Sequence, residues 1–384
     1  MMRRFGLILC FMLVLVCPAR AETVAEQVRA PERVQAELVS PTGRTVIHLA
    51  AEVHVPEAET MSVLPVEGAA FDSGTVTALA ELLWPGLNAP LHEENYNGQG
   101  GYQGHTLGVN VSGIGGEDVE MGAGASWQDH LKGMDGIYSS GLSGRVLWGH
   151  SAYDGQTVNY AQKALEEEVS GEGIAGHPLT SAQAAQVAED FLRQLTDEDF
   201  ACFTVGQGLG RVFSDEPVPG PQPESSYVIA LTRMVGGVPL LPSLFQGMST
   251  LNRTDLFAPP VGYEKVLVNL DRTGRVVGFQ WANLWQPAGE PTPQALLPFE
   301  DILAVAQQML PLKYLWLEPY TDQLVIDVTR IDLGYMALLQ QDTQTFALTP
   351  VWTFYGDGEM LPSFQDVLTI RATDGAVIDL ELGY

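Results

Sequence analysis

Short β-strand patterns joined by tight turns recur along the chain, and this repetition limits the folds it can adopt more than any other feature. Alternating or apolar strand-like segments flank the turns at residues 40–43, 236–237, 271–274 and 373–375. Each turn contains glycine, which readily adopts the positive φ values of tight hairpins. Because strands come in consecutive runs and do not alternate regularly with helices, the pattern predicts antiparallel hairpins and not a parallel α/β fold.

A few helices are predicted between these strands. Thr180 and Gln183 form a capping box, and apolar residues continue from there at helical spacing to Leu195. A second helix is predicted after Pro298, a third is predicted with Ser73 as its cap, and a fourth covers residues 158–169. The predicted fold class is therefore α+β, with antiparallel sheets built from hairpins and a few packed helices.

The first 21 residues are typical of a secretory signal peptide. Arg3 and Arg4 precede a twelve-residue apolar run, and the segment ends at the small residues Ala19 and Ala21. Twelve helical residues span roughly 18 Å, less than a bilayer core of about 30 Å, and no later segment is apolar for 18 residues. We therefore expect an exported protein, secreted or associated with the cell envelope, with no transmembrane segment after the leader.

Cys17 is a candidate acceptor for a lipid anchor, although such sites usually have Gly or Ala where this chain has Val16. Cleavage after Ala21 would remove Cys17 and Cys10 and leave Cys202 as the one cysteine, so no internal disulfide could form. Cys202 lies in an apolar run, which favours a small buried side chain over a nucleophile or an intermolecular thiol.

The charge balance excludes several partners. The chain has 384 residues with 19 Lys and Arg against 47 Asp and Glu, and the predicted leader holds three Arg and no acidic residue. The remaining 363 residues therefore carry a formal net charge of −31. Nucleic acids and anionic membrane surfaces need clustered basic residues, so neither is expected as a partner.

The sequence suggests two regions after the leader. Residues 22–178 form an N-terminal α+β region, which includes a Gly-rich segment at about 86–155 that shows no sustained period and is predicted as loops and short irregular strands. Residues 179–384 form a C-terminal α+β region. This second region contains the strongest helix and most of the predicted hairpins.

The C-terminal region also resembles known families. The helix at 182–195 and the segments 227–239 and 268–276 look like the small PepSY-type domains of exported bacterial proteins. A further resemblance, to an uncharacterised domain-of-unknown-function family of exported, often lipid-anchored proteins from Gram-positive gut bacteria, is carried by residues 296–302, 331–335, 348–356 and 368–377. That family implies no established activity, so it assigns no catalytic, cofactor-binding or metal-binding residue.

Several groups of residues are candidates for a binding or metal site. His48, Glu52 and His54 share one face of a predicted strand, where they form either an incomplete metal site or a solvated sheet face. Acidic loops at 197–199 and 356–359 lack the spacing of a calcium loop, and residues 206–210 lack the lysine of a phosphate loop. Of the seven tryptophans, Trp127 and Trp148 are candidates for a surface platform, whereas Trp281, Trp316 and Trp352 are predicted to be core.

These observations predict an exported, non-catalytic protein that binds or restrains an envelope protein or a peptide, with no cofactor. The alternative is a secreted hydrolase or binder of cell-wall or dietary glycan, with its site in the Gly-rich segment. An enzyme would bring acidic, aromatic and His or Tyr side chains into one deep cleft, whereas a binding protein would show a shallow surface.

Overall fold

The structure of the protein is a computed structural model. It describes residues 22–69, 71–83, 85, 91–97, 102–110, 122–130, 146–150, 167–169, 171–210, 224–242, 263–271, 273–340, 345–358 and 361–380. Within these ranges, no helix combines the length and the apolar character needed to cross a membrane.

The described chain is dominated by β-strands. The strands are β1 Arg33–Val39, β2 Thr45–His54, β3 Ser62–Gly68, β4 Leu91–Asn97, β5 Tyr102–Asn110, β6 Gly122–His130, β7 Val146–His150, β8 Glu167–Glu168, β9 Phe200–Gly210, β10 Glu224–Val235, β11 Val238–Pro239, β12 Lys265–Leu270, β13 Val276–Ala282, β14 Trp285–Pro287, β15 Thr292–Pro293, β16 Leu324–Gln340, β17 Thr345–Gly358, β18 Leu361–Arg371 and β19 Val377–Ile378. The helices are α1 Val24–Val28, α2 Ser73–Leu83, α3 Ser181–Leu195 and α4 Phe299–Lys313, with a 3-10 helix at Glu318–Tyr320.

The strands form two large sheets. The first sheet has the order β1-β2-β16-β17-β18-β19, and β3 joins it beside β17 together with β14 and β15. The second sheet has the order β4-β5-β6-β7-β13-β12-β10-β9-β8, with β11 paired to β10. All pairs are antiparallel except β2 with β16, which makes the first sheet mixed. This parallel pair joins the start of the described chain to its C-terminal part.

One face of the first sheet holds the main core. Ile47, Leu49 and Ala51 alternate on β2 with exposed residues, as the sequence pattern predicts for a half-buried strand. Helix α4 packs on this apolar face, where Phe299 meets the ring of Trp352 at 4.8 Å between centroids. Trp352 is fully buried, so its predicted core position is confirmed.

A second core lies between the second sheet and helices α2 and α3. Helix α3 begins with the predicted capping box, in which the Gln183 backbone N–H donates to the Thr180 hydroxyl and the Thr180 N–H donates to the Gln183 side chain. Helix α2 differs from its prediction because Asp72, not Ser73, caps its first turn by accepting from the Thr75 N–H at 2.8 Å. Phe279 and Trp281 of β13 are buried against these helices.

The two sheets contact each other through a small apolar cluster and through Arg233, whose buried ion pair lies within the second sheet and which also reaches a carbonyl of the first. Phe203 of β9 meets Tyr355 of β17 at 5.1 Å between ring centroids, and both side chains are buried. Arg233 of β10 forms a bidentate pair with Glu264 and also donates to the Trp285 carbonyl of β14 at 2.8 Å. These contacts fix the first sheet against the second.

The predicted α+β class is wrong, because the described structure consists mainly of two large sheets with few helices. The Gly-rich segment, predicted as loops and short irregular strands, contains the antiparallel strands β4 to β7, of which β5 and β6 each extend over nine residues. Glycine gives no apolar period, whereas strand pairing uses the backbone, so the sequence pattern did not show the regular pairing. Most of the helix predicted at 158–169 lies outside the described residues, and Glu167–Glu168 form β8. The boundary near residue 178 stays a prediction, and both sheets contain strands from each side of it.

Candidate functional site

Strand β1 forms an open edge of the first sheet. The Glu32 carbonyl accepts from the Val53 N–H at 2.9 Å, and the Ser40 N–H donates to the Thr45 carbonyl at 2.9 Å. Since antiparallel strands exchange these bonds at every second residue, the even-numbered residues of β1 direct their backbone groups towards β2. The odd-numbered residues therefore direct their N–H and C=O groups away from the sheet.

We call these odd-numbered residues the open edge: Arg33, Gln35, Glu37 and Val39. Their side chains are all exposed, and Val39 keeps 50% of its surface accessible. Within the described ranges β1 pairs with β2 alone, so no strand covers this edge. A row of unpaired backbone groups is a template on which another extended segment can pair.

Two exposed aromatic residues lie just beyond the end of α4. Trp316 is 52% exposed and Tyr320 is 74% exposed, and we call this pair the aromatic platform. The prediction that Trp316 is core is wrong, because the segment that holds it is a series of tight turns and not a buried strand. Leaving roughly 100 Å² of indole in water forgoes about 2.5 kcal/mol of burial energy. Trp and Tyr side chains are enriched at interfaces, because each combines a large apolar ring with a polar group.

The chain around the aromatic platform is firmly held by its buried neighbours. Tyr314 and Leu317 are each only 4% exposed, and the Tyr314 hydroxyl donates to the Val367 carbonyl of β18 at 2.9 Å. Burial raises the pKa of Tyr314, so its hydroxyl stays protonated and keeps this bond at neutral pH. Trp316 and Tyr320 are thus displayed from an ordered backbone.

Glu318, between the two platform residues, attaches this segment to the β1–β2 hairpin. Its buried carboxylate accepts hydrogen bonds from the Ser40, Thr42 and Thr45 hydroxyls at 2.7 to 2.8 Å. These hydrogen bonds hold the pKa of Glu318 below its ordinary value. Because Ser40 directly follows Val39, the end of the open edge lies beside the segment that carries the aromatic platform.

The predicted polar face of β2 is confirmed, and its charged side chains are paired. The parallel register sets His48 opposite Asp327, and His48 Nδ1 lies 2.8 Å from Asp327 Oδ1. Arg33 Nη2 lies 2.5 Å from the Glu52 carboxylate. All four of these side chains are largely exposed, so each pair adds little to stability.

His54 belongs to a more buried arrangement. His54 Nδ1 lies 2.7 Å from Asp332 Oδ1, and the Asp332 side chain is only 4% exposed. Arg330 donates to both Asp332 oxygens, donates to the Phe203 carbonyl at 2.7 Å and lies over the Phe203 ring. These contacts link β16 to the second sheet, which gives the cluster a structural role.

Glu52 and His54 come within 4.0 Å of each other, but His48 is paired with Asp327 and does not join them, so the three side chains do not converge on one point. Among the described residues, no group of three His, Cys, Asp or Glu side chains is arranged to hold a metal ion. The solvated-face interpretation of this strand therefore accounts for the alternation.

The other sequence candidates are distributed over separate elements. Cys202 is half-buried on β9, where its backbone N–H donates to Glu189 at 3.1 Å. Residues 206–210 continue the same strand and do not form a loop. Of the two acidic segments, 197–199 connects α3 to β9, whereas 356–358 ends β17 and Glu359 lies outside the described residues. Trp127 and Trp148 lie on the neighbouring strands β6 and β7.

The sequence alone did not predict either the open edge or the aromatic platform. The odd-numbered residues of β1 look like any polar strand face, and only the sheet order shows that β1 lies at an edge. Tyr314 and Leu317 are three residues apart, so in helical or turn geometry they share one face, and Trp316 then lies on a different face. Both are buried and Trp316 is exposed, so this spacing could have indicated the exposed tryptophan.

Comparison with known proteins gives a fold likeness and no family. No family model and no curated protein matches the chain. An uncharacterized protein from Eubacterium rectale is similar in structure, with a TM-score of 0.58 and 12% identity over 94% of this chain and 96% of that one. This likeness shows a shared fold alone. The Bacillus megaterium YpeB C-terminal domain aligns with a TM-score of 0.35 and 12% identity over 81% of this chain and 97% of that one, a score too low to support an argument.

Proposed function

We propose that the protein is an exported, non-catalytic binding protein that holds an extended segment of an envelope protein or a peptide along the open edge. The observation that carries this proposal is the row of outward backbone groups on β1, which no strand of the described chain covers. An extended segment added there would form main-chain hydrogen bonds as a further strand of the first sheet.

The surroundings of β1 favour such an addition. Helix α4 and the apolar core support the strand from one side, while Gln35 and Glu37 face solvent on the other. The Glu318 hydrogen bonds fix the hairpin turn, so β1 needs little reordering before it pairs. A preformed edge lowers the entropy cost of binding.

Export rests on the leader predicted from the sequence. Cleavage after Ala21 would leave α1 intact, because its capping box begins at Thr23, whose N–H donates to Glu26 at 2.8 Å. The mass of the protein purified from the medium or the envelope fraction would show whether it begins at Glu22 or carries a lipid on Cys17.

A proline on the open edge tests the binding mode. Gln35→Pro removes an outward N–H and places a ring where the guest strand would pair, but it removes no bond to β2. The control Gln35→Thr changes the side chain and keeps the N–H. The probe is a fluorescein-labelled ten-residue peptide of alternating Lys and Val, and its binding is followed by fluorescence anisotropy.

We expect wild type and Gln35→Thr to bind this peptide equally, and Gln35→Pro to bind it at least roughly tenfold more weakly with an unchanged melting temperature. Equal binding by folded Gln35→Pro would contradict the proposal. If the melting temperature falls, Glu37→Pro repeats the test with Glu37→Thr as its control, because Glu37 also directs its N–H outwards and both variants lose the same charge.

A further inference from the structure

We propose that the segment bound on β1 is cationic and carries an apolar anchor residue, which it places on the aromatic platform formed by Trp316 and Tyr320. This inference rests on the proposed function and adds the chemistry of the partner. It connects two separate features: the backbone groups of β1 that pair with nothing in the described part of the chain, and the exposed rings beyond α4.

The two features are joined at one end of the first sheet. Val39 is the last residue of the open edge and is itself half exposed. The next residue, Ser40, donates its hydroxyl hydrogen to Glu318 at 2.7 Å, and Glu318 lies between Trp316 and Tyr320 in the chain. A guest strand that continues past Val39 therefore runs towards the platform.

The rings are suited to act as an anchor site. Trp316 and Tyr320 extend from turns held by the buried residues Tyr314, Leu317 and Glu318, so little backbone freedom is lost when a ligand binds. Exposed Trp and Tyr side chains also dominate measured binding energies at interfaces. Leu312, 45% exposed at the end of α4, adds apolar surface in the same short stretch of chain.

The negative charge of the protein favours a cationic partner. After removal of the leader the formal net charge is −31, and on the open edge the charge of Arg33 is offset by its ion pair with Glu52, which leaves Glu37 as the net charge of this row. A cationic segment would be drawn to this surface, whereas a second copy of the same chain would be repelled. We therefore favour a Lys- or Arg-bearing segment over self-association through β1.

The experiment compares the Lys/Val peptide with the same peptide carrying one terminal Trp, made with the Trp at either end. We expect one of the two Trp peptides to bind wild type at least roughly tenfold more tightly than the peptide without Trp. Trp316→Ala should remove this gain and leave the affinity for the anchor-free peptide unchanged. Trp316→Phe should keep most of it. Because Trp316 is 52% exposed and otherwise packed, the melting temperature of each variant is measured first, and affinities are compared only between folded proteins.

The outcomes separate this inference from the proposed function. If Gln35→Pro abolishes binding but the terminal Trp adds nothing, the edge binds peptides and the anchor inference is wrong. If a Glu/Val peptide binds as well as the Lys/Val peptide, the charge argument is wrong. If neither peptide binds, and a soluble cell-wall oligosaccharide binds through Trp316, both proposals fail. A dimer in light scattering that Gln35→Pro separates would also overturn both.

Discussion

Replacing the buried ion pair between Arg233 and Glu264 should measure how much this pair contributes to the free energy of unfolding. Arg233 and Glu264 are 6% and 5% exposed, and two hydrogen bonds of 2.7 and 2.8 Å join them. Arg233 also donates to the Trp285 carbonyl, and Trp281 Nε1 donates to Glu264 at 3.1 Å. Burial raises the pKa of Glu264, and its hydrogen bonds with Arg233 oppose that rise.

Removing one partner leaves the other charged or polar group buried without its main contact. Arg233→Met and Glu264→Leu are therefore each expected to lower the free energy of unfolding by about 3 to 5 kcal/mol. The double variant removes both charges and leaves the Trp285 carbonyl and the Trp281 N–H without partners, which costs about 1 to 3 kcal/mol each. We expect the double variant to lose about 2 to 6 kcal/mol in total, less than the two single losses added together.

The assay is urea unfolding followed by tryptophan fluorescence and by far-ultraviolet circular dichroism. Coincident curves from the two probes would support a two-state analysis of the four proteins. If the losses of the single variants add up in the double variant, the pair is not coupled and the reasoning is wrong. If each single variant loses less than about 1 kcal/mol, the pair is not buried in solution.

Two other predictions concern stability. Trp352→Ala should lower the free energy of unfolding by about 3 to 5 kcal/mol. Trp352→Phe should lower it by less, because the buried indole N–H has no partner among the described residues and its removal breaks no hydrogen bond there. Thermal melting of the two variants measures both effects. The hydrogen bonds from Ser40 and Thr42 lower the pKa of Glu318, so its contribution is present above the ordinary value of 4.5 and is lost as pH falls through the lower folded value. The difference in melting temperature between wild type and Glu318→Gln should therefore shrink below about pH 4.5, and a difference that is constant down to pH 3 would contradict this.

The sequence correctly predicted features that depend on neighbouring residues, namely the glycine turns and the alternation along β2. Gly43, Gly236, Gly237 and Gly274 all have positive φ, as their predicted turns require. The alternation along β2 correctly separated its buried face from its polar face, since strand side chains point to opposite sides in turn. These features depend on residues within a few positions of each other, so a local pattern contains them.

Long-range pairing could not be predicted in the same way. Val46 and Val325 pair in the parallel register of β2 and β16, and nothing near either residue specifies a partner so distant in the chain. For the same reason the sequence did not predict the open edge or the aromatic platform. That Trp316 is exposed, and that β1 is an edge, both follow from which elements pack together and not from the apolar run or the strand pattern itself.

Residue-resolved amide hydrogen exchange of β1 tests the central claim most directly. In the free protein, the outward amides of Arg33, Gln35 and Glu37 should exchange quickly, while those of Val34 and Ala36, bonded to β2, should be protected. Adding a saturating amount of the Lys/Val peptide should slow exchange at the three outward amides and leave the others unchanged. Outward amides that are already protected in the free protein, or that stay fast with the peptide bound, would contradict the account.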